Sequence, residues 1–179
     1  MLRQLLKYFA MYDISYTASG GTLLGAVRQG GWIAHDYDAD VDIHEKSRKQ
    51  FFKLVHFLRA NPRLGLGVTL DLPVMVKFSP VVQDHQVKEF ELPGVPSATV
   101  DCFILERTSR GVHRIVGGVF PKWRYKKGEL FPLRKLFFDD ILISVPNKPQ
   151  KILRRYYGNW EKPVFQKWPT PNPQRVSYK

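Results

Sequence analysis

Apolar and polar residues alternate along the chain with the spacing of helices in four segments and of strands in the rest. The predicted helices cover residues 2–12, 22–29, 47–60 and 149–157. Thr22 and Ser47 are the expected N-caps of two of them, and Gly158 ends the last. The chain therefore has helices at both ends and a long central region that must fold in another way.

Short β-branched and apolar runs fill that central region and predict strands. They cover residues 14–18, 68–72, 74–78, 99–105, 112–116, 136–138 and 141–145, and Trp32 to Ile43 is expected to be extended as well. Residues 79–97 contain three prolines and are expected to form a surface loop. Because strands outnumber helices and cluster after residue 66, we expect an α+β fold.

The composition is typical of a globular protein, with 179 residues, 44% apolar and 25% charged. Cys102 is the single cysteine, so no internal disulfide can form. No apolar run approaches the roughly 18 residues needed to cross a bilayer, and the N-terminus has no signal-peptide pattern. We expect one globular domain over residues 1–162, followed by a proline-rich basic tail over residues 163–179.

Positive charge is concentrated in the C-terminal part of the chain. The net charge is +12, and residues 107–179 alone contribute +13. A basic surface of this kind attracts polyanions such as nucleotides, phosphorylated glycans, nucleic acid or acidic lipid. A solvated surface with no charged partner remains an equal alternative.

The segment from His35 to Ile43 places an aspartate at every second position. On a strand, alternate side chains share a face, so one face is predicted to carry Asp36, Asp38, Asp40 and Asp42, and the core to receive Tyr37, Ala39, Val41 and Ile43. Neighbouring carboxylates at this spacing repel each other by roughly 2–3 kcal/mol. A compensating cation is expected, and oxygen-only ligands suit Mg²⁺ or Mn²⁺.

Other interpretations of the acidic segment fit less well. An EF-hand loop starting at Asp36 would need glycine and glutamate where the chain has Val41 and Ser47. The two-residue period with β-branched residues argues against a helix start. An exposed acidic loop is less compatible with strict alternation of aspartate and apolar residues.

A glycine turn precedes the aspartates, at Gly20-Gly21-Thr22, and opens the short predicted helix. Free N–H groups at a helix start bind phosphate, and Arg28 farther along this helix has the geometry for a bidentate phosphate contact. No Gly-Lys-Ser/Thr follows, so the turn is not a P-loop.

The order of these features resembles the LicD family, which includes fukutin and fukutin-related protein. The similar segment runs from Gly21 through Asp40 and is supported by two later motifs, Thr99-Val100-Asp101-Cys102-Phe103 and Tyr156-Tyr157-Gly158-Asn159-Trp160. The sequence departs from the family pattern at Ala34-His35, where the family has Pro-Trp, and Asp42 extends the acidic series.

The resemblance implies a nucleotidyltransferase-like fold, with a small mixed sheet flanked by helices. Residues 1–162 would then form a phosphotransferase domain. Its reaction would move a phospho-alcohol, such as phosphocholine or ribitol phosphate, from a CDP-linked donor to a sugar hydroxyl of a glycan, releasing CMP. We expect no nucleic-acid partner, but association with an acidic or membrane-proximal surface is open. A fukutin-like protein would act in the secretory pathway or Golgi, and another member in the cytoplasm.

The resemblance also implies residue roles. Asp38 and Asp40 are the first expected metal ligands, Asp101 is the third, and Asp36 either joins them or orients them. The expected catalytic set is therefore Asp36, Asp38, Asp40 and Asp101, and the expected donor-phosphate contacts are Gly21, Thr22 and Arg28. Which carboxylate acts as general base stays open.

Two other functions compete with this one. A true nucleotidyltransferase would use a nucleoside triphosphate and release pyrophosphate. A non-catalytic basic module would bind glycan or nucleic acid, with a steep dependence on salt and none on the aspartates.

Overall fold

The computed structural model describes residues 1–34, 36–71, 75–81, 99–109, 111–116 and 123–162. The α-helices of these residues are α1 (Leu2–Met11), α2 (Gly20–Arg28), α3 (Arg48–Ala60) and α4 (Pro149–Tyr157). The strands are β1 (Tyr16–Ala18), β2 (Asp38–Ile43), β3 (Leu66–Asp71), β4 (Met75–Pro80), β5 (Thr99–Arg107), β6 (His113–Ile115), β7 (Arg124–Tyr125), β8 (Arg134–Phe138) and β9 (Ile141–Val145). Short 3₁₀ turns cover Glu45–Ser47 and Pro62–Leu64.

A mixed sheet forms the centre of the fold. Its strand order is β1-β2-β5-β4-β3, and β6 extends it from β5 to β7. β2 and β5 run parallel, whereas the other pairs in this sheet are antiparallel. β8 and β9 form a separate hairpin around Asp139 and Asp140, as predicted. Together with the flanking helices, this arrangement confirms the expected α+β class.

Aromatic contacts fix α1 and α3 against the sheet. Phe9 of α1 contacts the rings of Tyr16 in β1 and Phe51 in α3, with centroids 5.4 and 6.1 Å apart. Phe51 in turn lies edge-on to Phe78 in β4, at 6.2 Å. Each side chain of this size that is buried stabilises the fold by roughly 1.5–3 kcal/mol. The apolar faces predicted for both helices therefore cover the sheet.

Two predicted helix caps make tertiary contacts instead. α2 begins at Gly20, not at Thr22, and the Thr22 hydroxyl accepts a hydrogen bond from the Asp40 N–H. Ser47 is the N-cap residue of α3, as predicted, but its hydroxyl accepts a hydrogen bond from the Ser15 N–H at 2.9 Å and none from its own helix. Each hydroxyl thus joins the start of a helix to a neighbouring segment, which local sequence patterns do not reveal.

The extended segment is shorter than its pattern predicted. β2 begins at Asp38, and Asp36 lies in a turn in which its N–H donates to the Ile33 carbonyl. Tyr37 is 43% exposed, so its predicted place in the core is wrong. Alternation of side chains between two faces requires strand geometry, and Tyr37 precedes the strand.

Several predicted segments reach beyond the described residues. β4 continues to Pro80 inside the segment predicted as a loop, and residues 82–97 of that segment lie outside the description. The predicted basic tail at 163–179 lies outside it as well. Among the helices that are described, none has the length and apolar character that a membrane crossing requires.

Candidate active site

Three aspartates from two strands converge at one point of the sheet. Carboxylate oxygens of Asp38, Asp40 and Asp101 all lie within 4.8 Å of one another. The parallel pairing of β2 with β5 sets Asp40 directly beside Asp101, and Asp38 shares their face two residues earlier. The structure therefore brings together three of the four predicted metal ligands. Asp36 lies outside this group of three.

The glycine turn holds the acidic group against the start of α2. The Gly21 N–H donates a hydrogen bond to Asp40 Oδ2 at 3.2 Å, and the Thr22 hydroxyl accepts the Asp40 N–H at 2.8 Å. A Cβ at Gly20 would lie 2.0 Å from Asp40 Oδ2, and one at Gly21 would lie 2.2 Å from Asp36 Oδ2. Only glycine allows this close approach of helix and carboxylates.

Burial and neighbouring carboxylates raise the pKa of two aspartates at this site, Asp36 and Asp40. Burial, followed by repulsion from Asp38, raises the pKa of Asp40 to about 7. The pKa of Asp36 rises to about 6, because of burial and then its hydrogen bond with Asp38 and the repulsion between the two groups. A bound cation would relieve the repulsion among these carboxylates and favour their ionised forms.

Asp42 differs from the aspartates that precede it. It is fully buried and accepts hydrogen bonds from Ser19 at 2.8 Å, Tyr125 at 2.6 Å and Trp123 at 3.3 Å. Burial raises its pKa to about 6, against the effect of these three donors. From inside the fold, Asp42 therefore links β2 to the start of α2 and to β7, and its two oxygens are already occupied.

Lys77 is a site residue that the sequence did not reveal. Its Nζ lies 3.3 Å from Asp101 Oδ2, because β4 pairs with β5 and places Lys77 directly beside Asp101. The signal in the sequence is one lysine within the apolar run of residues 74–78. The place of this lysine beside Asp101 becomes evident only when the order of the strands is known.

The other residues of the family motifs lie in different surroundings. Arg28 lies at the far end of α2, about 10 Å along the helix from Gly21, and its guanidinium contacts the Gln29 side chain. Tyr157 is 42% exposed and close enough to Asp40 and Asp36 that, after burial, their charges help raise its pKa to about 12. Trp160 is in the core and His35 lies outside the described residues.

The three converging carboxylates fit a hard divalent cation. They offer only oxygen, they come from two hydrogen-bonded strands, and their mutual repulsion is what a cation would relieve. Asp38, Asp40 and Asp101 would hold such an ion. Its identity as Mg²⁺ or Mn²⁺ stays a prediction from the ligand chemistry.

Comparison with known families agrees with this geometry. The family model described as LicD/FKTN/FKRP, nucleotidyltransferase domain, matches residues 13–148, which contain the glycine turn and all three converging aspartates. The chain belongs to the LicD family. This confirms the resemblance found in the sequence, and membership of the family indicates a transferase.

Individual relatives cover different parts of the chain. An uncharacterized protein of Rickettsia typhi is 28% identical over 150 residues, and one of Rickettsia prowazekii is 26% identical over 153. Both alignments take in 84% of this chain, but it spans only 42% and 50% of those proteins. The lipopolysaccharide cholinephosphotransferase LicD of Haemophilus influenzae is 43% identical over 51 residues, 26% of this chain and 19% of its own.

The fold is shared with a solved nucleotidyltransferase. The lincosamide antibiotic adenylyltransferase LnuA, in its lincomycin-bound crystal structure, superposes with a TM-score of 0.51 and 13% sequence identity. The match covers 85% of this chain and 82% of that one. At this identity the likeness concerns the fold alone, and it confirms the predicted nucleotidyltransferase-like architecture.

Proposed function

We propose that the protein transfers a phospho-alcohol from a CDP-linked donor to a sugar hydroxyl of a glycan, with Mg²⁺ or Mn²⁺ at Asp38, Asp40 and Asp101. The observation that carries this proposal is the convergence of the three carboxylates beside the glycine turn at the start of α2. Family membership and the partial match to a lipopolysaccharide cholinephosphotransferase support the reaction class.

The reaction forms one phosphorus–oxygen bond and breaks another. The acceptor hydroxyl oxygen attacks the phosphorus atom that carries the alcohol, and the bond from this phosphorus to the oxygen bridging to CMP breaks. CMP leaves with the bridging oxygen, and the acceptor proton passes to a base. A bound divalent cation supplies neutralisation of the charge on the diphosphate oxygens.

We assign to Asp36 the role of general base, which accepts the proton of the acceptor hydroxyl. It lies next to the group of three without belonging to it, so an oxygen of Asp36 remains available to the hydroxyl. Because Gly21 has no side chain, the start of α2 packs closely against the Asp36 carboxylate and restricts its position. Asp36 is also only half-buried, which leaves a path for an acceptor from solvent.

Lys77 and the start of α2 contribute in different ways to binding of the CDP-linked donor. Lys77 brings a positive charge to the same carboxylate group, and a diphosphate oxygen would replace Asp101 as its partner when a metal binds. The Gly21 N–H donates to Asp40 Oδ2 and so holds this carboxylate in place, and direct contact of Gly21 with the donor phosphate stays a prediction. The Thr22 hydroxyl is likewise engaged with the Asp40 backbone. Direct phosphate contact by Arg28 stays a prediction.

The test is calorimetric titration of CDP-choline, CDP-ribitol, CDP and CTP into the protein, with and without Mg²⁺ or Mn²⁺. We expect metal-dependent binding of the CDP-linked compounds that is lost in Asp38→Asn and kept in Asp13→Asn. Asp13 is an exposed aspartate outside the site and serves as the matched control. Incubation with a glycan acceptor should then release CMP.

Other outcomes would redirect the assignment. Release of pyrophosphate from a nucleoside triphosphate would favour the nucleotidyltransferase alternative. Salt-sensitive binding of RNA or acidic glycan that is unaffected by Asp38→Asn, with no cytidine nucleotide bound under any metal, would contradict the proposal and favour the binding module.

A further inference from the structure

A second group of metal-ligating side chains lies at the opposite end of β2. Ligand atoms of His44, Glu45 and His113 are all within 4.8 Å of one another. His44 and Glu45 directly follow β2, whereas Asp38 begins that strand, so the two groups are separated by the whole length of the strand, roughly 17–20 Å. We propose that His44, Glu45 and His113 form a second metal site, for a divalent transition metal such as Zn²⁺.

The backbone of this group is fixed on every side. The His44 N–H donates to the Ser15 carbonyl at 3.0 Å, and the His44 carbonyl accepts the Ser47 N–H at 2.9 Å. His113 belongs to β6, which is paired with β5 on one side and β7 on the other. The Phe131 ring lies against both imidazoles, at 4.7 and 5.7 Å between centroids. The two histidines held in this way are positioned before any ion binds, and Glu45 directly follows His44 at the start of the 3₁₀ turn.

Two polar atoms of the group have no hydrogen-bond partner among the described residues. They are Nε2 of His44, a side chain that is 7% exposed, and Oε2 of Glu45. Buried polar atoms in folded proteins are nearly always paired, so two unpaired atoms in adjacent residues of this group indicate a missing ligand. The His44 Nδ1 accepts a long hydrogen bond of 3.4 Å from the Lys46 N–H. Metal ligation through Nε2 would place the ring proton on Nδ1, so this weak contact would be lost.

The donor set and its protonation both suit a transition metal. Two imidazoles and one carboxylate form the ligand set of catalytic zinc sites, in which a further position stays open. Burial is the largest influence on both rings and lowers the pKa of His44 and of His113, so each is neutral at pH 7 and has a lone pair to give.

A cavity of about 480 Å³ adjoins the group, so an open coordination position of a bound metal would face this cavity. Its lining includes the exposed cations Lys46, Arg107, Lys126 and Lys127. These charges disfavour a bare ion but favour an anionic group bound to it as a further ligand.

The test uses Co²⁺ as a spectroscopic substitute for Zn²⁺, added to the chelator-treated full chain in excess Mg²⁺. We expect a visible d–d band of tetrahedral or five-coordinate nitrogen ligation, removed by added Zn²⁺. His113→Gln and Glu45→Gln should each weaken Co²⁺ binding by more than about tenfold. His56→Gln, at an exposed histidine on α3, and Asp38→Asn should leave the band unchanged.

A second measurement keeps the test valid if a variant is less stable. Zn²⁺ should raise the Tm of the unsubstituted protein and of His56→Gln, and it should not raise that of Glu45→Gln. A Co²⁺ band that disappears in Asp38→Asn but persists in His113→Gln would overturn the proposal. So would binding of inorganic phosphate with no Co²⁺ band, because the cavity would then be a simple anion site.

Discussion

Lys77 Nζ lies 3.3 Å from Asp101 Oδ2, so a lysine from the neighbouring strand partly neutralises one of the three converging carboxylates. This contact competes with a cation for the same oxygen. It also leaves an ammonium group next to the place where the donor diphosphate is proposed to bind. The two roles have opposite consequences when the lysine is removed.

Lys77→Met should therefore strengthen Mg²⁺ binding in the absence of nucleotide by about two- to fivefold, because a partly exposed ion pair contributes up to about 1 kcal/mol. The same variant should weaken binding of a CDP-linked donor in saturating Mg²⁺ by about tenfold or more, since it loses a charged hydrogen bond. Calorimetry measures both constants. Lys53→Met, at an exposed lysine of α3, is the control. Equal weakening of metal and donor would contradict these roles.

The raised pKa of Asp40 predicts a pH dependence of stability in the metal-free protein. The pKa is about 7 in the folded state against an ordinary 3.8, so between these values the folded state binds more protons than the unfolded state. The stabilising contribution is complete below about pH 4 and is lost as pH rises through about 7. The Tm of the metal-free protein should fall between about pH 4 and 7 more steeply than that of Asp40→Asn.

The comparison of slopes isolates Asp40 from other titrating groups. His44 and His113 have lowered pKa values and contribute with the opposite sign, but they are present in both proteins. Excess Mg²⁺ should flatten the curve of the unsubstituted protein, because a cation favours the ionised carboxylate. Parallel curves for the two metal-free proteins would show that Asp40 does not titrate in this range.

Gly20→Ala should disrupt the site more than the fold. Gly20 has φ +50, and its added Cβ would lie 2.0 Å from Asp40 Oδ2 and 3.0 Å from Asp40 Cβ. Gly65 has φ +79 with nothing within 4 Å, so Gly65→Ala carries similar backbone strain without a clash. Both variants should lose about 1–2 kcal/mol of unfolding free energy in urea. Only Gly20→Ala should also lose Mg²⁺ affinity, and equal metal binding by the two would be contrary evidence.

Asp42 should respond to substitution unlike its neighbours in the series. Asp42→Ala leaves the donors of Ser19, Tyr125 and Trp123 without their acceptor, which should lower the free energy of unfolding by more than about 2 kcal/mol. Its Mg²⁺ affinity should stay within a few-fold of the original. Asp38→Asn should have the reverse profile, with small loss of stability and large loss of affinity. Urea unfolding measures the stability of the two variants, and calorimetry measures their Mg²⁺ affinity.

Local sequence patterns were sufficient for most of the elements and for the acidic group. The two-residue period of the aspartates identified β2, and the family motif identified Asp101 as their companion on another strand. These features depend on neighbours in the chain or on a recurring motif. The expected burial of Tyr37 failed because the period was extended past the first residue of the strand.

The features that escaped prediction all depend on pairing between distant strands. Lys77 reaches the site through the pairing of β4 with β5, and His113 meets His44 through β6. The separation of Asp42 from the other aspartates requires Tyr125, which lies on β7. A single sequence contains no signal for such pairs, because their spacing along the chain follows from topology and not from any period.

The parallel register of β2 with β5 has a consequence for how the protein acquires its activity. Asp38 and Asp40 emerge from synthesis long before Asp101, because α3, β3 and β4 lie between β2 and β5 in the chain. A chain that ends before residue 99 would contain the glycine turn and the whole acidic run, yet it would lack the third ligand. Binding of an ion by all three aspartates would therefore require that β5 has already paired with β2. An ion bound between these two strands would stabilise the strand pair that closes the longest loop of the sheet.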